Sequence, residues 1–197
     1  MNTEHLQKIK EARLKYKPEV IKCLFIAEAP PSAEDRFFYF EEVWEQDSLY
    51  LEMMKALFPP EPSQSDILTL DDFPASTSTL RNQKEEYLIR FMNKGYDLID
   101  ALDRPMPPDI YRTKDKIRYL EQNKDQLVKK VKELVDEKTP IVLISIPVFN
   151  AMGGRLKYNK LNVIHDEPIE FPGSGQQANF REKMTRILPK IQQNANL

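Results

Sequence analysis

Three stretches of this chain are apolar without alternating: residues 20–27 (VIKCLFIA), 96–102 (YDLIDAL) and 140–146 (PIVLISI). A strand with one wet face alternates apolar and polar residues, whereas a strand covered on both faces reads as a continuous block. Blocks of this kind demand helices on both sides of a mostly parallel sheet. The segment 160–164 (KLNVI) is a fourth candidate strand.

The intervening segments supply the helices. Helical spacing is predicted over 5–16, 48–58, 80–93, 114–136 and 176–188, and a short helix over 147–152 ending near Gly153-Gly154. In 48–58 the inward face is Leu49, Met53 and Leu57; in 80–93 it is Leu80, Tyr87, Leu88 and Phe91. In 114–136 it is Ile117, Leu120, Leu127, Val131 and Leu134, with the lysines turned to solvent. Gly95 stands where a helix ends in a left-handed residue. The Pro-, Ser- and Thr-rich stretch 59–79 reads as a long surface excursion. The predicted fold is a three-layer α/β/α sandwich with a four-stranded, mostly parallel sheet, as one domain over residues 1–197.

Composition excludes several classes of function. The chain has 197 residues, a net charge of -2 and a single cysteine. It therefore carries no general basic field for nucleic acid, no internal disulfide and no all-cysteine cluster. Cys23, mid-strand, is expected to be a small core residue, and His5 a surface residue. No metal or cofactor is expected, as there is no His-x-x-His pair and no Walker loop, and no Gly-x-Ser-x-Gly follows a strand to present a serine nucleophile. The first twenty residues are charged and no apolar run reaches membrane length, so a cytoplasmic monomer without membrane contact is expected.

Ligands of parallel α/β sheets bind outside the carboxyl ends of the strands, which makes the residues there the candidates. After the first strand comes AEAPPSAED, then the aromatic run Phe37, Phe38, Tyr39, Phe40. Pro30 and Pro31 stiffen that exit, and Glu28, a carboxylate so near a buried strand, needs a partner or solvent. Some of the aromatics belong to the core, and one could stack on a flat ring. After the second strand, Asp100 and Asp103 could accept from an N–H donor, while Arg104 could pair with Asp103. After the fourth come His165-Asp166-Glu167-Pro168 and then Phe171-Pro172-Gly173-Ser174-Gly175. Ser174 with Gln177 fits a capping box for the last helix, and the Gly173–Gly175 loop equally fits an anion site.

The strand followed by AEAPPSAED resembles the first motif of the uracil-DNA glycosylase superfamily. It is most similar to the Gly-Glu-Ala-Pro-Gly-x-x-Glu-Asp form of the iron–sulfur branch. Glu28, Ala29, Pro30, Glu34 and Asp35 match that form, while Ala27 and Pro31 stand at its glycines. One cysteine cannot replace the four of that branch, so no iron–sulfur cluster is expected. The resemblance implies a hydrolase of the N-glycosidic bond of a damaged or modified base flipped out of DNA. It assigns Glu28, the Ala29 backbone and His165 to catalysis. Pro30, Phe38 or Phe40, and Asp100 would bind the base, and the second motif would be held by His165-Asp166-Glu167-Pro168 or by the stretch with Gly173, Ser174 and Gly175. The alternative is a non-catalytic member of the fold that binds a nucleobase, a nucleotide or a partner protein. Residues 34–52 hold seven acids and one arginine, which opposes phosphate contacts and implies weak activity on uracil in duplex DNA.

Overall fold

The computed structural model describes residues 3–42, 45–59, 76–173 and 175–195. Its elements in order are α1 (Thr3–Lys15), β1 (Cys23–Ala27), α2 (Ser48–Leu57), α3 (Thr77–Asn82), α4 (Lys84–Asn93) and β2 (Tyr96–Asp100). There follow α5 (Thr113–Gln122), α6 (Lys124–Leu134), β3 (Ile141–Leu143), α7 (Ile146–Tyr158) and α8 (Gln177–Ala195). Among the described residues the sheet has three parallel strands in the order β2-β1-β3. The register sets Ala27 against Asp100 and Phe25 against Val142.

The apolar blocks are continuous because each face of the sheet meets its own core. Cys23, Phe25 and Ala27 point into a cluster with Met53 and Met54 of α2, Leu88 and Phe91 of α4, and Phe180 and Met184 of α8. Leu24 and Ile26 point the other way, onto Leu120 of α5, Val131 of α6 and Met152 of α7. Gly95 closes α4 at φ +74°, and its carbonyl accepts the backbone N–H groups of Lys22 and Cys23 at 2.7 and 3.2 Å. A Cβ at Gly95 would lie 2.7 Å from Lys22 Cγ, so the helix end and the entry to β1 fit only around glycine.

The expected fourth strand is not formed. Segment 160–164 begins to pair with β3: Ile141 N–H donates to Asn162 O at 2.8 Å, and Ile141 bridges Val163. The ladder then stops because Leu143 N–H donates to a side chain, His165 Nε2, at 2.9 Å. Backbone pairing resumes only where Ser145 N–H donates to Ile169 O at 2.9 Å. The imidazole stands where a strand carbonyl would be, and the residues between bulge out.

Other boundaries also move. The helix expected over 114–136 is two, broken at Asn123, whose side-chain amide donates to Tyr119 O at 3.0 Å. The helix expected over 80–93 divides at Gln83, with α3 capped by Ser76 Oγ, which accepts from Thr79 N–H at 3.1 Å. α7 does not stop at Gly153-Gly154; buried Met152 and Leu156 carry it through to Tyr158. α8 runs past Leu188 and contains Pro189, held beyond it by the fully buried Ile191. His5 is buried rather than on the surface, edge-on to Phe40. Cys23 is buried, as expected. Most of the excursion 59–79 lies outside the described residues. Among the described residues no helix is long and apolar enough to cross a membrane.

The outer edge of β2 is covered by the aromatic run. Leu98 N–H donates to the Tyr39 hydroxyl at 2.7 Å, and that hydroxyl donates to Asp97 Oδ1 at 3.1 Å. Arg13 of α1 closes the group, with its Nη2 2.6 Å from Asp97 Oδ2. A buried aspartate on a strand is tolerable only with such partners.

Candidate functional site

A cleft of about 360 Å³ opens at the carboxyl ends of β1 and β2. That is within the range of small-ligand pockets, about 300–1,000 Å³. The parallel register puts Glu28, one residue past β1, beside Asp100 at the end of β2, and Leu102 N–H donates to Glu28 O at 3.3 Å. Both side chains line the cleft, with Ala29 and Pro31 from the same strand exit. Pro30 is buried and does not line it.

Pro31, residues 36–38 and residues 46–47 form one wall. Phe37 and Phe38 line the cleft from their places in the core; Phe38 meets Tyr39 edge-on at 4.8 Å and Phe91 at 5.4 Å. Tyr50 of α2 continues this wall, fixed by its hydroxyl on Leu80 O at 2.8 Å. Phe171 closes the opposite side and is 44% exposed. The site therefore offers aromatic surface to a flat ring.

Polar groups in the wall are mostly committed. Asp47 takes Arg81 as a two-pronged partner, Nη2 to Oδ1 at 2.6 Å and Nε to Oδ2 at 3.2 Å. Arg36 bonds Gln46 and, at 3.2 Å, Asp35. Behind Tyr50, Lys84 is 1% exposed with its ammonium 4.4 Å from the ring centre and no hydrogen bond among the described residues. Burial pushes Lys84 down to about 8.

The two carboxyl groups differ. Glu28 Oε1 accepts from Lys116 Nζ at 2.6 Å, and Oε2 accepts from Ser145 Oγ at 3.3 Å. The Asp100 carboxyl takes no hydrogen bond from the described residues, while its backbone carbonyl accepts from Lys130 Nζ at 3.2 Å. Burial pushes Asp100 up to about 7, against the pull of Lys130 and Arg13.

Of the residues singled out in the sequence, Glu28, Ala29, Phe38 and Asp100 meet in the cleft. Phe40 does not: it turns away toward His5 and Phe37 and lines a shallow depression with Lys8, Asp35 and Glu41. His165 does not line the cleft either. Its Nε2 accepts from Leu143 N–H, which places the proton on Nδ1, and that nitrogen donates to Glu167 O at 2.7 Å. Burial holds its pKa below the usual value. A neutral ring with both nitrogens committed is a structural pin and has no atom left for catalysis. Gly173 N–H is likewise spent, on Phe171 O at 2.8 Å, so it offers no bare donor to an anion. Gly175 takes φ +84°. The proposed cap residue Ser174 lies outside the described residues.

Three participants escaped the sequence reading: Lys116, Ser145 and the Asp47–Arg81 pair. Lys116 precedes the buried Leu120 by one turn, so it stands beside the apolar stripe rather than opposite it. That spacing was the available signal. Among the described residues no group of three or more His, Cys, Asp or Glu side chains could hold a metal ion. Compared with family models, with curated proteins and with solved structures, the chain matches none.

Proposed function

We propose that this chain is a uracil-DNA glycosylase-like hydrolase of an N-glycosidic bond, built as a three-layer α/β/α sandwich whose fourth strand is reduced to the bridges around His165. It would work as a cytoplasmic monomer on a base presented singly to the cleft. The observation that carries the reading is that Glu28 and Asp100 line one cleft from neighbouring strand ends, two carboxyl groups in unlike surroundings. One is ion-paired; the other takes no hydrogen bond from the described residues, and burial raises its pKa to about 7. A carboxylate held by a lysine, in the same cleft as a buried carboxyl, suits a division between charge and proton.

In this reading the base lies against Phe38 and Tyr50, with Phe171 over its outer edge. The carboxylate of Glu28 stabilises positive charge growing on the sugar and orients the attacking water. Neutral Asp100 donates its proton in a hydrogen bond to a ring carbonyl, where charge collects as the base leaves. An ionised Asp100 would accept from a ring amine instead. Base choice therefore turns on pH: release of a carbonyl-bearing base falls as pH rises through 7, and an amino-bearing base gains. Exposed Glu34, Asp35, Glu42 and Glu45 flank the aromatic wall and oppose a duplex, which favours single strands or nucleosides.

The test is a base-release assay across uracil, hypoxanthine, xanthine and alkylated bases, as nucleosides and in single and double strands, with Glu28→Gln and Asp100→Asn as controls. Release by the wild type, lost by at least a hundredfold in Glu28→Gln, is expected. The second reading, a module that binds a base without cutting, is favoured by one fact: both Glu28 oxygens are already occupied. Binding of a base with no release by the wild type would select it.

A further inference from the structure

Ser145 carries a backbone conformation that needs explaining. It sits between β3 and α7 at φ +95°, ψ 139°, in a region that residues with a Cβ seldom enter. It also caps α7, its Oγ accepting from Val148 N–H at 3.3 Å. Capping does not require that conformation. Ser76 caps α3 in the same way at φ -61°, ψ 156°, an ordinary extended geometry. The difference between the two serines is what else the hydroxyl does. The side chain of Ser145 is buried, and its Oγ donates to Glu28 Oε2 from a different strand end.

The backbone on both sides of the residue is tied down. Ile144 N–H is tied to Ile26 O at 2.8 Å, Ser145 N–H to Ile169 O at 2.9 Å, and Ser145 O accepts the Phe149 N–H at 3.1 Å. With three backbone groups fixed, the positive φ turns the Cα–Cβ bond toward β1. Strain that persists where the chain over-determines it points to a function of the strained group.

We propose that Ser145 is a positioning residue for Glu28: its strained backbone holds the hydroxyl on Oε2 while Lys116 holds Oε1, so the carboxylate faces the cleft in a single orientation. The inference deepens the hydrolase reading and rests on it only for the effect on turnover.

Two variants separate the strain from the hydroxyl. Ser145→Ala keeps the strain and loses the hydroxyl, whereas Ser145→Gly loses both, since glycine accepts positive φ freely. The side-chain carboxyl ¹³C resonance of Glu28, identified by its disappearance in Glu28→Gln, is expected to shift equally in both variants. Ser145→Gly is expected to melt above Ser145→Ala by several degrees. On a base that the wild type releases, kcat falls about ten- to a hundredfold in both, with KM within about twofold, the size of losing a hydrogen bond to a charged group. An unmoved Glu28 resonance, or a shift and a rate loss that follow melting temperature from one variant to the other, overturns the proposal and leaves Ser145 a helix cap. A wild type that releases no base overturns the hydrolase reading alone, and the resonance still decides the role of Ser145.

Discussion

At the scale of single residues, Asp100 gives the sharpest pH dependence. Its folded pKa is raised from 3.8 to about 7, so between those values the folded state holds a proton that the unfolded state has released. Stability must then fall as pH rises from about 4 to 7, and the cost is absent below 4. Asp100→Asn is expected to remove that slope and to raise the melting temperature at pH 8, as a series of melts from pH 4 to 8 would show. Lys84 runs in the opposite sense. Its pKa is lowered from 10.5 to about 8, so the folded state must bury an ammonium below pH 8 and sheds that cost between 8 and 10.5. Lys84→Met, similar in shape, is expected to stabilise the protein at pH 7 by about 1–3 kcal/mol. Denaturant titration checks it, and an unchanged midpoint would mean that the aromatic face of Tyr50 already compensates the charge.

At the scale of elements, legibility followed the reach of the forces involved. The three strands could be read because burial on two faces writes itself along the chain as an apolar block. Gly95 could be read because a helix end selects glycine locally. The breaks at Gln83 and Asn123 could not, since each is a polar residue within an unbroken helical pattern. The missing fourth strand was least legible of all. Its pattern does suit a strand, and only the fold shows that the His165 ring takes the Leu143 N–H. The same contact turns His165, which emerges at the strand ends, away from the cleft. His165→Ala is expected to cost about 2–4 kcal/mol, from an unsatisfied buried N–H and a cavity. Hydrogen exchange should locate the loss at Leu143. Loss of stability without faster exchange there would place the role of His165 elsewhere, in its packing on Phe149.

For the whole molecule, charge sets what can approach the cleft. The net charge is -2, and Arg36 and Lys116 are the cations among the described residues that line the cleft. Each phosphate neutralised on a single strand contributes about -0.7 to the slope of log affinity against log salt. Two such contacts give a slope no steeper than about -1.4. Single-stranded oligonucleotides are expected to bind with that shallow dependence, and duplexes more weakly still. Fluorescence anisotropy from low to physiological salt is the measurement, and a slope near -5 on duplex would refute the charge argument. How the acids and cations divide around the cleft was only half legible. The acidic loop is contiguous in sequence, whereas Lys116 joins the cleft from 88 residues beyond Glu28.

The closure of both sheet edges has a consequence for the chain in a crowded solution. A three-stranded sheet ordinarily presents two rows of open amide and carbonyl groups, each a template on which another molecule can add a strand. Here the Tyr39 hydroxyl occupies Leu98 N–H on one border, and on the other the His165 ring takes Leu143 N–H between the backbone bridges at Val163 and Ile169. A strand docks by offering carbonyls in register, and at each border a foreign strand would find one of its donors already taken. Tyr39→Phe reopens one border while sparing the aromatic packing. It is expected to fold and to scatter light at concentrations where the wild type stays clear. What reads as a few local hydrogen bonds is thus a barrier to self-association, with one phenol and one imidazole filling the places that backbone leaves open.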